Sequence, residues 1–303
     1  MKKILVIATV IISLAAVVGI QSCQSTKSAT GSKMMKFNFE KGRGYDYEMI
    51  MNLDQEVMGA KQQIDMSTYY SMLVTEDDGA LKTIKTTFDR FKMNMGVMGM
   101  QIEVDTEKPF TSGLDTSATD NPLAMVNRLL GAIKGQQFVM KVDAEGKVQD
   151  VQGFQEMGMK IADSLGLDEA KKKEMLQSFS QQFNERNIKE QFERVLYIFP
   201  NKEVKVGDSW QKKTTTTGPM GGTYNSTYTV KEIEGDMVTL EEKTKIESDN
   251  EQMKLSGEQT GELVVDSRTG LVVSADMDLN METTNSGTKV NMRGKTKIKG
   301  QAR

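Results

Sequence analysis

Tyr45-Asp46-Tyr47-Glu48-Met49-Ile50-Met51-Asn52-Leu53 sets a large apolar side chain at every second position, with polar residues at most of the positions between. Successive side chains of an extended chain point to opposite faces, so Tyr45, Tyr47, Met49, Met51 and Leu53 share one face of a sheet. Ile64, Met66, Tyr70, Met72 and Val74 repeat the spacing, and Asp77-Asp78-Gly79 then turns the chain into residues 81–91. Strands are therefore expected from residue 37 to about 104. Gly96 and Gly99 punctuate a Met-rich stretch in which the apolar parity is odd at Met93, Met95 and Val97 but even at Met98, Met100, Ile102 and Val104. Such a slip beside glycine predicts a bulge or a turn.

Beyond a polar stretch at residues 106–120, Asn121-Pro122 supplies an N-cap and a first-turn proline for a helix over 122–134, with Leu123, Val126, Leu130 and Ile133 on one side. After a hairpin around Asp143 to Gly146, a helical block follows, with breaks at Gly166 and near Asn184. Its apolar stripes are Phe154, Met157, Ile161 and Leu165, then Met175, Phe179 and Phe183, then Ile188, Phe192 and Val195. Pro200 ends the block, and strands resume to the C-terminus. Two strand regions look like copies: a glycine, two residues and a large aromatic recur at Gly42 to Tyr45 and Gly207 to Trp210, and Val142-Asp143 before Gly146 parallels Val265-Asp266 before Gly270. The expected fold is α+β and mainly antiparallel, with two related curved sheets and a helical segment between them. The expected units are a leader (1–22), a tether (23–35), a first β-rich unit (36–151), the helices (152–199) and a second β-rich unit (200–303).

Lys2 and Lys3 precede an almost unbroken aliphatic run over residues 4–18, the pattern of an export signal. The run is short for a membrane span and closes at Ile20-Gln21-Ser22-Cys23, which holds the only cysteine. This close resembles the bacterial lipobox, although Gln21 stands where a small residue is usual. The resemblance implies cleavage before Cys23 and a lipid on its sulfur, anchoring the chain to a membrane. Gln24, where an Asp would retain the protein at the inner membrane, resembles outer-membrane sorting, with the body facing the periplasm. Residues 24–33 are polar and read as a flexible tether.

The 303 residues contain no histidine, and Lys+Arg 39 against Asp+Glu 42 leaves a net charge of -3. Ser-His-Asp, Cys-His and His-ligated metal sites are thereby excluded, and the charge argues against a nucleic-acid partner. Acidic residues are abundant but no spacing selects a catalytic pair, and Gly218-Pro219-Met220-Gly221-Gly222 lacks the Lys-Ser/Thr of a phosphate loop and reads as a hairpin connection. No catalytic residue, cofactor or metal is assigned, and no enzymatic activity is expected. The 23 methionines stand out. On strand faces they fill a core in place of Leu and Ile, or form an adaptable apolar binding surface; thioether copper binding would want the imidazole co-ligands that are missing.

The lipobox, Phe37-Asn38-Phe39-Glu40-Lys41-Gly42, the Met-rich strands, and the segment from Phe199-Pro200-Asn201-Lys202 to Val206-Gly207-Asp208-Ser209-Trp210 together resemble an uncharacterised family of bacterial envelope lipoproteins, a domain of unknown function. That resemblance implies no activity. More loosely, anchor, strands and helices look like the half-barrels of periplasmic lipid and lipoprotein carriers, in which a helix lids an apolar cleft. The expected function is a non-catalytic outer-membrane lipoprotein holding a lipid or other hydrophobic molecule on an apolar sheet face. Met93, Met95, Met98, Met100, Leu123, Val126 and Leu130 are its candidate contacts. The alternative is a structural or protein-interaction module with a filled core.

At the C-terminus, Lys289, Arg293, Lys295, Lys297 and Lys299 share one parity, as do Asp276, Asp278 and Glu282 before them. With Asn285-Ser286 as a two-residue loop, Thr284 faces Gly287, Glu282 faces Lys289, Asn280 faces Asn291, Asp278 faces Arg293 and Asp276 faces Lys295. Met281 then meets Val290 and Leu279 meets Met292, and only Lys297 and Lys299 lack an acid on the paired strand.

Overall fold

The computed structural model describes residues 31–57, 60–97, 100–108, 122–166, 168–182, 184–217, 221–249, 253–285 and 288–303. In chain order the elements are β1 (Lys33–Met35), β2 (Gly44–Val57), β3 (Ala60–Asp77), β4 (Leu81–Val97), β5 (Met100–Asp105), α1 (Pro122–Ile133), β6 (Gln137–Asp143), β7 (Val148–Gln152), α2 (Phe154–Ser164), α3 (Glu169–Gln182), α4 (Glu185–Leu196), β8 (Lys202–Val204), β9 (Ser209–Thr216), β10 (Gly222–Glu234), β11 (Met237–Asp249), β12 (Met253–Asp266), β13 (Leu271–Asn285) and β14 (Thr288–Ala302).

The expected pair of sheets is one sheet instead. Twelve antiparallel strands run in the order β7-β6-β4-β3-β2-β14-β13-β12-β11-β10-β9, with β5 added on β4, and β1 and β8 form a separate two-stranded ribbon. The join is β14 on β2, hydrogen-bonded from Val290 opposite Val57 to Ala302 opposite Tyr45. Pairing the last strand with the first long one removes two free edges that separate sheets would expose.

The alternation in β2 and β3 appears as read: Tyr47 faces Tyr70, Met51 faces Met66, and Leu53 faces Ile64. The parity slip near Gly99 is a hairpin, since Met93 pairs with Val104 and Met95 with Ile102, which returns both apolar sets to one face. β4 shares one edge between two partners, β6 along Leu81 to Thr87 and β5 along Lys92 to Val97.

The sheet's free edges, β7 and β9, both pack on α4, so the sheet curls round and the helix stands in the seam. Asn184 caps α4 by accepting the Asn187 N–H at 2.8 Å. Glu190 accepts from the Thr217 N–H (2.5 Å) and hydroxyl (2.7 Å) just past β9, and Phe192 reaches inward to the rings of Tyr70 and Phe138. Lys212 on β9 spans the same seam to Glu145 at 2.5 Å.

One end of this curled sheet is plugged. Phe37 N–H donates to Ala144 O and Asn38 N–H to Thr269 O, both at 2.8 Å, tying the entering chain to two hairpins on different parts of the sheet. Phe37, Phe39, Tyr45 and Phe199 are buried there, and Trp210 Nε1 donates to Ile198 O at 2.7 Å. Toward the opposite end, where β2 passes to β3, β4 to β5 and β13 to β14, no entering chain packs across the strands among the described residues, although Tyr224, Ile246, Leu255, Met281 and Met292 are buried there. Among the described residues one continuous core reaches from β2 through α2 and α4 to β13, and a smaller cluster is built on Tyr224, Ile246, Leu255, Met281 and Met292.

The C-terminal register differs by two residues from the expected one. Asn285 pairs with Thr288, Asn280 faces Arg293, Asp278 faces Lys295 and Asp276 faces Lys297. A shift of two keeps every side chain on its face, so polarity alone does not separate the registers. In the observed one Met281 meets Met292 and Leu279 meets Gly294. Lys297 and Lys299 are not left over: Lys297 pairs with Asp276 at 3.4 Å, and Lys299 with Glu48 on β2 at 3.3 Å.

Candidate functional site

The two faces of the sheet have opposite chemistry. Outward, β2 places Asp46, Glu48, Asn52 and Asp54, while β13 and β14 place Asp278 and Lys295, 2.9 Å apart, among other exposed ion pairs. Hydrocarbon would charge about 2–4 kcal/mol for each Lys or Arg at such positions, so this outer face is suited to water. Inward, the register lets rows be read across the sheet. One row runs Val104, Met93, Met66, Met51, Thr296, Met277, Gly261, Glu242, Tyr228, Trp210. The next, toward the unplugged end, begins Met95, Ile64, Leu53 and ends Gln259, Thr244, Ser226, Lys212. Each row starts apolar on β4 to β2; on β12 to β9 the second turns polar, and the first sets Glu242 between Gly261 and the core ring of Tyr228.

On the apolar wall, Met51, Met66, Met93 and Met95 are each half-buried, in contrast to Met72 and Met140, which are fully buried nearer the plug. Of the candidate contacts, Met93 and Met95 thus lie on the inner face. Met100 sits opposite Val97 at the start of β5, Leu123 and Val126 lie in the first turns of α1, and Leu130 is half-buried later in that helix. Nothing is described of the side chains of Met100, Leu123 and Val126. Met98 and Cys23 lie outside the described residues.

The polar wall was not singled out in the sequence. Glu242 is 6% exposed; its Oε1 accepts from Thr244 Oγ1 at 2.6 Å and Gln259 Nε2 at 3.1 Å, and Thr244 Oγ1 lies 2.7 Å from Ser226 Oγ. Burial pushes the Glu242 carboxyl up, with the Thr244 hydrogen bond, the Arg194 charge and the Gln259 hydrogen bond opposing. Burial likewise raises the Tyr228 hydroxyl beside it. Its signal was legible: Val238, Leu240, Glu242, Thr244 and Ile246 share one parity, so polar residues occupy core positions. Arg194, from the last turn of α4, lies over the Tyr224 ring at 4.0 Å, with Nη2 3.5 Å from Gln259 Oε1.

Residues 79–272, running from β4 into β13, match the model of a family of unknown function, DUF6263. The chain belongs to the DUF6263 family. The match takes in α4, the polar wall from β9 to β12, and Met93 and Met95 of the apolar wall, while Met51 and Met66 precede it. No curated protein matches the chain. Among solved structures it is similar to the translocator domain of autotransporter NalP from Neisseria meningitidis (7% identity, 86% of this chain and 89% of that one, TM-score 0.25). It is similar to OccK5 (OpdH) of Pseudomonas aeruginosa (7% identity, 88% and 99% covered, TM-score 0.25) and to the β domain of the Bordetella autotransporter BrkA (7%, 84% and 98%, TM-score 0.24). Similarities at that level carry no argument about this DUF6263 protein.

Proposed function

We propose that this protein is a non-catalytic lipoprotein of the outer membrane, anchored through Cys23 and facing the periplasm, that holds a lipid or other hydrophobic molecule on the inner face of its curled sheet. The observation that carries the reading is the half-buried wall of Met51, Met66, Met93 and Met95 opposite the plugged end. A core filled only by its own side chains would bury these as it buries Met72 and Met140. Methionine suits an adaptable surface because its unbranched thioether repacks around chains of different shape. The charged outer face leaves the inner face as the place for an apolar guest.

The test is native mass spectrometry of the body, residues 31–303, purified without detergent. Co-purified lipid is expected, and Met66→Glu, which sets a charge in the middle of the wall, should remove most of it. A body that never carries lipid would favour an interaction module of the envelope.

A further inference from the structure

Arg43, Arg90, Arg186, Arg268 and Arg303 each have a carboxylate within salt-bridge range. Arg194 has none among the described residues. Its guanidinium lies over the Tyr224 ring at 4.0 Å and 3.5 Å from the Gln259 amide oxygen, and its charge reaches the buried Glu242 without a salt bridge among the described residues. A cation in the last turn of a helix is ordinary in itself, since the carbonyl end of the helix favours it. What is unusual is its setting. Tyr224 points inward with the smaller core cluster, so a guanidinium stacked on it lies inside the curl of the sheet, and Arg194 is nevertheless exposed. The guanidinium therefore stands where the buried Tyr224 ring meets solvent at the seam that α4 occupies.

The geometry points to a binding site for an anionic amphiphile, with its acidic head on Arg194 and its chain along the Met66 and Met93 wall. This rests on the reading of the inner face as a hydrophobic site and adds the chemistry of the guest's head. Stacking on Tyr224 holds the guanidinium plane and leaves its edge donors free for a carboxylate or a phosphate oxygen pair. Glu242 lies on the far side of Gln259, where Thr244 and Gln259 occupy its Oε1, so the head approaches the guanidinium from the side away from Gln259. A neutral amphiphile would use the wall and leave the guanidinium as it is.

Isothermal titration of the 31–303 body with oleate, oleyl alcohol and inorganic phosphate separates these cases. Oleate is expected to bind at least about tenfold more tightly than the alcohol, and Arg194→Gln should erase that margin while Arg194→Lys keeps part of it. Phosphate alone should bind too weakly to detect, and dioleoylphosphatidic acid should share the Arg194 dependence if phosphate heads are accepted. Met66→Glu should weaken both chain-bearing probes alike, and an unchanged thermal midpoint confirms that each variant is folded. Equal affinity for oleate and oleyl alcohol, or an oleate affinity indifferent to Arg194→Gln, overturns the acidic-head inference and leaves the hydrophobic site standing. Phosphate binding as tight as oleate overturns it in favour of a free-anion site. Failure of every chain-bearing probe overturns both readings.

Discussion

The strands before the helices and the strands after them start the same way and end with different interiors. At the first, Gly42 N–H donates to Val74 O, Val74 N–H to Arg43 O, and Arg43 N–H to Glu40 O; at the second, Gly207 donates to Val230, Val230 to Asp208, and Asp208 to Lys205. Both glycines have positive φ, 81° and 90°, and each turn feeds an inward aromatic, Tyr45 or Trp210. A bulge follows in each partner strand, at Val74/Glu76 and Val230/Glu232. The matching geometry is local, however, and the strands it starts merge into one sheet. Deeper in, β2 to β4 carry methionine where β10 to β12 carry Ser226, Glu242, Thr244 and Gln259. Backbone turn chemistry and interior polarity are thus set independently: the first needs a glycine at one position, the second only a choice of residue at each inward position.

The sharpest way to break the likeness is at the paired hairpin glycines. A Cβ on Gly146 (φ 83°) would stand 1.7 Å from Leu196 O at the end of α4, and one on Gly270 (φ 76°) 2.6 Å from Lys36 O. Gly42 and Gly207 have nothing within 4 Å. Gly146→Ala should cost at least about 4 kcal/mol, Gly270→Ala somewhat less, and Gly42→Ala or Gly207→Ala only about 1–2 kcal/mol for the left-handed backbone. Urea midpoints rank them, and equal losses at all four would show that the backbone oxygens beside Gly146 and Gly270 set no added penalty.

A second measurement contrasts one carboxylate from each region. The Arg90 guanidinium, bonded to Asp105 at 3.0 and 2.7 Å, holds that carboxyl down at about 2. Its contribution to stability is present above the ordinary value of 3.8 and is lost as pH falls toward 2. Glu242 has the opposite sign. Burial raises it, the fold favours its protonated form, and stability declines as pH climbs from 4.5 toward the raised value. Glu242→Gln should flatten that decline and leave the protein no less stable at pH 7, whereas Asp105→Asn should destabilise it there. Unfolding midpoints followed across pH check both signs.

The smallest effect tests the register where the two regions meet. Asp278→Lys should lower Tm by about a degree and Lys295→Asp added to it should recover the loss, while Arg293→Asp in its place should not. Rescue by Arg293→Asp would restore the register first read from the sequence.

Strand alternation, the reversal between β4 and β5 and the single shared parity of the C-terminal charges were legible because each depends on neighbours along the chain. The pairing of β14 with β2 was not, since it joins residues such as Ala302 and Tyr45 that share no local signal. The two-residue register error has the same root, for Met281 accepts Val290 or Met292 equally well by polarity. On the inner face, the methionine wall could be read from period two alone. Arg194 could not, because a helix-end cation acquires its meaning only from the Tyr224 ring brought over from β10.

The entering chain joins the fold at Lys33, at the plugged end, beside Val204 on β8. From there the methionine wall lies up the strands, with the far end of β2 about 40 Å from Tyr45 at about 3.3 Å per residue. A ten-residue leash from a lipidated Cys23 reaches about 35 Å at full stretch. Under the proposed lipid anchor at Cys23, a body hung this way would rest plug-down, with its far end turned from the bilayer. On that proposal, a guest would exchange from the aqueous side, and direct transfer to the anchoring bilayer would require the body to tip over.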